Sequence, residues 1–249
     1  MQNNSKIQNW FEIWFNSPYY HILYINRDNK EAQEFITRLL SVLNPPEKAK
    51  ILDLACGKGR HAIFLHKLGF DVTGTDLSES SINWANQFNA PGLKFLVKDM
   101  RQPIENQKFN CIFNLFTSFG YFDDSADNIK VLRAANQMLV KNGCLVIDFL
   151  NVHFIKKHLI AKETVEREGI IFHISREIKD GMIHKTIEFT DKNKSYKFIE
   201  YVQALDLEDF KVLLDESDLF IYKTFGNYNM QKFDPDKSDR LILICKKKI

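Results

Sequence analysis

The chain reads as α/β: a doubly wound, mostly parallel seven-stranded sheet carrying a small antiparallel β insertion. Three observations point there. Short apolar runs near residues 50–55, 70–76, 93–97, 109–115 and 142–149 alternate with helical patterns near 60–68, 78–90 and 124–140. Such alternation builds parallel strands joined by right-handed crossovers. The first strand runs directly into a glycine-rich turn and a helix start, Asp53-Leu54-Ala55-Cys56-Gly57-Lys58-Gly59-Arg60. After Phe149 the apolar period changes to two over 163–204, before a helix and two apolar runs close the chain.

Taken in order, the first segment, Trp10 to Tyr24, is dense in aromatic residues. In water it would be a sticky patch, so it must cover something. The two readings are a lid over a bound cofactor and plain packing against the core. It lacks the basic face of a membrane-surface helix. Glu31 to Leu43 spaces Phe35, Ile36, Leu39, Leu40 and Leu43 as a helix and stops at Pro45-Pro46. Glu79 adds a favourable acid near the start of the helix that follows the second strand. In the insertion, Ile170, Phe172, Ile174, then Ile183, Ile187, Phe189, then Tyr196 and Phe198 alternate with polar residues. Turns at Lys179-Asp180-Gly181 and at Asp191 to Lys194 separate them, which predicts a meander of about three strands. Leu207 to Asp218 resumes as a helix, and Leu219–Phe225 and Arg240–Cys245 are closing strands. The expected organisation is an aromatic cap plus core over 1–160, the insertion over 161–205, serving as acceptor lid or dimer interface, and a return to the core over 206–249.

The glycine-rich turn carries the chemistry. Glycines let the backbone approach a ligand with no Cβ in the way. About twenty residues on, Phe70-Asp71-Val72-Thr73-Gly74-Thr75-Asp76 is a strand ending in a carboxylate, placed to accept two hydrogen bonds from a ribose diol. Gly57 to Ala62 formally fits the G-x-G-x-x-A form of the dinucleotide fingerprint. A pyrophosphate wants positive potential at the helix N-terminus, yet Asp53 lies four residues before the first glycine. A carboxylate there repels phosphate and attracts an ammonium. S-adenosylmethionine has an ammonium, a sulfonium and a ribose and no phosphate, so Asp53 and Asp76 suit it better than NAD. Each acid also has a plainer reading, as a turn or N-cap acid and as a cap of the next helix.

The runs from Asp53 to Ala62 and from Gly69 to Ser78 resemble the class I S-adenosylmethionine-dependent methyltransferases. Phe95-Leu96-Val97-Lys98-Asp99-Met100 resembles that family's third strand and its adenine-contacting acid, and Phe109 to Phe116 resembles its fourth strand, which ends beside the methionine part of the cofactor. The helix from Asn128 to Val140 and the run Asn142 to Phe149 resemble its fifth unit. The resemblance covers roughly residues 30–150. It implies a Rossmann-like methyltransferase fold whose last two strands are an antiparallel pair, which a dinucleotide fold lacks. It implies S-adenosyl-L-methionine as cofactor, held by Tyr24, Arg27, Asp53, Ala55, Gly57, Gly59, Arg60, Asp76, Leu77, Asp99, Met100, Asn114 and Phe116. It also implies a small-molecule acceptor with a nitrogen or oxygen nucleophile, since some members of the family, the amino-sugar N-methyltransferases among them, carry such a sheet after the fifth strand. Tyr24 and Arg27 would reach the methionine carboxylate. Tyr121, His153 and His158 are candidates for a general base, His153 being best placed by sequence, four residues after Phe149; an amine that loses its proton on binding needs none.

Composition excludes more than it selects. The 249 residues are 45% hydrophobic with formal net charge +2, so no electrostatic footprint for nucleic acid is expected. Cys56, Cys111, Cys144 and Cys245 form no C-x-x-C pair, which argues against zinc, and three fall in apparent strands as buried thiols. No signal peptide or bilayer-length apolar run is visible, and the expected setting is cytoplasmic, with a homodimer as one use of the insertion. An NAD(P)-binding oxidoreductase and a non-catalytic cofactor-binding protein are the alternatives.

Overall fold

The computed structural model describes residues 10–25 and 29–248. Five parallel strands come first: β1 (Lys50–Leu54), β2 (Asp71–Asp76), β3 (Leu93–Val97), β4 (Phe109–Asn114) and β5 (Leu139–Leu150). β10 (Leu219–Phe225) and β11 (Arg240–Lys247) close the sheet in the order β10-β11-β5-β4-β1-β2-β3. β11 runs antiparallel to both β5 and β10, the pair that a six-stranded dinucleotide fold lacks. The order reverses between β1 and β4, and ligands in open α/β sheets bind outside the strand C-termini at that switch.

Helices cover both faces. α3 (Asn29–Leu43), α4 (Arg60–Lys67) and α5 (Glu79–Ala85) pack Phe35, Ile36, Leu39, Ala62, Leu65 and Ile82 onto Ile51, Val72, Phe113 and Val146. α6 (Ser125–Met138) and α8 (Leu207–Asp215) place Val131, Leu132, Phe210 and Leu214 on the other side against Leu52, Ile112 and Leu145. Local chemistry sets the helix starts. The Asp124 side chain caps α6 at 2.9 Å, and Asp206 with Asp209 forms a reciprocal capping box on α8. α3 ends where Asn44 turns left-handed ahead of the two prolines.

The insertion is a separate sheet of four strands, one more than the meander of about three expected: β6 (Lys162–Arg167), β7 (Ile170–Lys179), β8 (Met182–Asp191) and β9 (Lys194–Gln203). The extra strand, KETVER, has little apolar content, and its alternating exposure pairs it as the edge of the sheet against β7. One face of this sheet takes α1 (Trp10–Phe15) and α2 (Pro18–Leu23). Trp10, Trp14 and Leu23 are buried with Ile170, Phe172, Ile174, Ile187 and Phe189. The short α7 (Val152–His158) leads from β5 into the insertion. Among the described residues no helix is long and apolar enough to cross a membrane.

Candidate active site

A cavity of about 300 Å³ opens at the switch between β1 and β4, within the usual size of small-molecule sites. Its floor is the turn after β1, and backbone geometry explains the glycines. Gly57 has φ 54° and no atom of the described residues beyond its chain neighbours within 4 Å of where a Cβ would sit, so its backbone is bare toward the opening. Gly59 has φ 77°, and a Cβ there would fall 2.4 Å from the Phe95 ring. The first glycine leaves room for a ligand; the second lets α4 start close against β3. Ala55, also at positive φ, completes the turn, and Ala55, Gly57 and Arg60 line the cavity.

Asp76 stands at the tip of β2 and lines the cavity. Its Oδ2 accepts from the Gly57 N–H at 2.7 Å and its Oδ1 from the Ser78 N–H at 2.8 Å. These bonds, with a further one from the Leu77 N–H, aim the carboxylate. Burial raises its pKa despite these backbone donors. Asp99 and Met100, after β3, also line the cavity. Burial opposes ionisation of Asp99, but the Arg101 guanidinium, bound to both of its oxygens at 2.6–3.1 Å, outweighs that and holds its carboxyl below the usual range. Arg101 in turn pairs with Asp127 of α6 at 2.6 Å.

Leu77, Phe116, Tyr121 and Tyr24 join the same cavity. Phe116 lies on a turn where both it and Thr117 have positive φ, and its ring stacks on His61 at 4.8 Å with the Arg60 guanidinium also 4.8 Å from it. The turn hangs from a buried charge. Asp148 of β5 accepts from the Phe116 N–H at 2.8 Å and from the Tyr228 hydroxyl at 3.2 Å, and it pairs with Arg240 of β11 at 2.7 Å. Arg240 also donates to Thr117 Oγ1 at 2.9 Å. The Tyr121 hydroxyl donates to the Thr117 carbonyl.

Five expectations need correction. Asp53 does not line the cavity: it is 2% exposed, beneath the wall against α4, where the Ala62 N–H reaches it. Burial, with Asp76 adding, pushes its pKa up to about 7 against the Ala62 N–H and Arg60, and its Oδ2 has no hydrogen-bond partner among the described residues. Asn114 is buried below the cavity, its amide donating to the Leu54 and Ser118 carbonyls at 3.3 and 3.2 Å. His153 is half exposed at the start of α7, 3.7 Å from Asp206 and outside the cavity, because α7 turns away from the strand tips. His158, at the other end of that helix, stacks on Phe154. Tyr24 reaches the cavity, but its hydroxyl donates to Glu200 of β9 at 2.7 Å. Arg27 lies outside the described residues.

The insertion also departs from expectation. Among the described residues none from β6–β9 lines the cavity; the wall opposite the glycine turn comes from α1, α2 and the residues after α2, through Phe11, Phe15, Tyr20, His21 and Tyr24. The aromatic segment is thus both wall and packing: Trp10 and Trp14 face the insertion, while Phe11 and Phe15 face the opening. Sequence reasoning missed His61, Arg101, Asp148, Arg240, Lys185 and Glu200. The first two sit within four residues of recognised motif positions. The rest reach the cavity turn or the aromatic helices across 32 to 186 residues of chain, a separation that local patterns do not encode.

Residues 51–143 match the model of a methyltransferase domain. Glycine N-methyltransferase of Oryctolagus cuniculus is 29% identical over 152 residues, covering 53% of this chain and 51% of the relative. The dTDP-3-amino-3,4,6-trideoxy-alpha-D-glucopyranose N,N-dimethyltransferase of Streptomyces venezuelae is 25% identical over 195 residues, 76% of this chain and 81% of that one. The chain spans about half the length of the first curated relatives it matches, 43% and 51%. Among solved structures, a S-adenosylmethionine-dependent methyltransferase from Clostridium acetobutylicum superposes with TM-score 0.78 at 22% identity, over 93% of this chain and 96% of that one, a likeness of fold.

Proposed function

We propose that this chain is a class I S-adenosylmethionine-dependent methyltransferase and transfers a methyl group from S-adenosylmethionine to a small-molecule acceptor by direct displacement. The carrying observation is the pairing of Gly57 and Asp76 across the cavity floor: a bare backbone turn and an aimed carboxylate 2.7 Å apart. That set suits a ribose diol beside a linker that carries no phosphate. The bound cofactor supplies a methyl on a sulfonium and leaves as a neutral thioether.

The protein's part is to bind, orient and keep water out. In this reading Asp76 accepts from the ribose hydroxyls and Asp99 from the purine amine, with the Met100 N–H donating to the ring. Arg101 fixes the Asp99 plane. Leu77 and Phe116 cover the two ends of the bound nucleoside. Ala55, Gly57, Gly59 and Arg60 shape the turn around the methionine part. The aromatic wall of Phe11, Phe15 and Tyr20 excludes water and holds the acceptor in line; alignment of this kind is worth up to about 7–11 kcal/mol. Relatives named for acting on glycine and on an amino sugar favour a nitrogen nucleophile. Tyr121, on the cavity with its hydroxyl hydrogen committed to Thr117, then serves as an acceptor for the amine rather than as a base.

Titration calorimetry with S-adenosylhomocysteine tests the cofactor assignment. A hydrogen bond to a charged group contributes about 1.5–3 kcal/mol, so Asp76→Ala weakens binding by roughly tenfold to a hundredfold or more. Equal affinities in variant and wild type would refute it. A panel of amines, alcohols and thiols assayed for S-adenosylhomocysteine release then identifies the acceptor class.

A further inference from the structure

The wall that faces the acceptor is held from behind by a sheet that never touches the cavity. Most of that seam is apolar: Trp14 is fully buried, its ring 4.5 Å from Phe198, and Leu23 packs with Phe172 and Phe189. Apolar burial is non-directional and would let two short six-residue helices shift or rotate on the sheet. A buried polar cluster crosses the seam. Glu200 of β9 accepts from the Trp14 indole N–H at 2.6 Å and from the Tyr24 hydroxyl at 2.7 Å. Lys185, its cross-strand partner on β8, pairs with Glu200 at 3.6 Å, donates to the Tyr24 hydroxyl and sits 4.6 Å over the Tyr24 ring. The side chains of Lys185 and Glu200 are 15% and 16% exposed.

Hydrogen bonds are directional where apolar contacts are not. One carboxylate fixes α1 through Trp14 and the end of α2 through Tyr24, and Tyr24 lines the cavity with its ring 5.0 Å from Tyr20, another wall residue. We propose that Glu200 and Lys185 of the inserted sheet are positioning residues that lock Tyr24, and through it the aromatic wall, against the cofactor. The insertion thereby tunes the site without lining it. This rests on the cofactor reading above.

A double-mutant cycle in the full chain tests it, with S-adenosylhomocysteine affinity measured by calorimetry and folding by thermal melting. Tyr24→Phe removes one oxygen and keeps the ring. Glu200→Gln keeps the shape and removes the negative charge from the cross-strand partner of Lys185. Each weakens binding about three- to tenfold, and the double variant binds no worse than the weaker single one, because both act on the same phenol. Should Glu200→Gln fail to fold, Lys185→Met completes the cycle with Tyr24→Phe. Unchanged affinity in Tyr24→Phe, or fold-changes that multiply in the double variant, would overturn the proposal. Asp76→Ala separates the two levels. If it too leaves affinity unchanged, the cofactor reading fails; if it weakens binding while the Tyr24 and Glu200 variants do not, the lock alone fails.

Discussion

Two glycines two residues apart have opposite jobs, and the difference is measurable. A methyl added at Gly57 meets open space and only backbone strain, about 1–2 kcal/mol for a left-handed L residue. Gly57→Ala therefore keeps the fold but places carbon where the ligand belongs, and S-adenosylhomocysteine affinity falls more than the melting temperature does. Gly59→Ala drives a methyl into the Phe95 ring at 2.4 Å, so its melting temperature falls further and its affinity loss follows from misfolding. Asp53 yields a pH prediction. Its folded pKa of about 7 lies above the ordinary carboxylate value, so the unfolded chain binds fewer protons between about pH 4 and 7 and stability falls as pH rises through that window. Asp53→Asn removes the buried charge and keeps an acceptor for the Ala62 N–H. The variant should gain on wild type in melting temperature from pH 5 to pH 8, because wild type loses on the order of 3 kcal/mol over that interval as Asp53 ionises. A pH-independent difference between the two proteins would mean that Asp53 does not titrate there.

At the scale of elements, the parallel core was legible because each strand carries its own apolar run and the helices between them space their apolar residues on one face. Asp76 falls at a strand tip that the pattern located, and Asp99 and Met100 follow the third strand, where the family resemblance pointed. What the sequence withheld was orientation. Nothing in Val152-His153-Phe154 says that α7 leaves the strand tips, and nothing in KETVER says that it pairs as an edge strand. Alternation in β7–β9 showed a buried face, without showing that α1 and α2 are what buries it. That pairing makes the cavity wall depend on residues outside it. Phe172 is fully buried between the sheet and the aromatic helices, and Phe172→Ala costs about 3–5 kcal/mol. Because the loss is confined to that seam, cofactor affinity should drop together with hydrogen-exchange protection in α1 and α2, while β1, β4 and β5 keep theirs. Uniform loss of protection across the large sheet would show that the seam does not open separately.

The molecule as a whole ties its last strand to its reacting end. β11 lies beside β5 in the sheet, opposite Leu150 at Arg240, so a residue from the far end of the chain reaches the turn after β4. Arg240 binds Asp148 through Nε at 2.8 Å and Nη2 at 2.7 Å while also holding Thr117. Asp148, wholly buried, holds the Phe116 N–H. The turn it supports has two consecutive non-glycine residues at positive φ, a strained geometry that persists when its surroundings over-determine it. Removing one partner of a buried pair strands the other, at about 3–5 kcal/mol. In a chain of this size each kcal/mol is about 2–4 °C, so Arg240→Met should lower the melting temperature by about 6–20 °C. Asp148→Asn combined with Arg240→Met removes both charges and should recover much of that loss. The turn then loses its charged anchor in both proteins, so cofactor affinity should stay reduced even where stability returns. A double variant that regains stability and affinity together would mean that the closing strand supports the fold and leaves the geometry of the Phe116 turn to β4 itself.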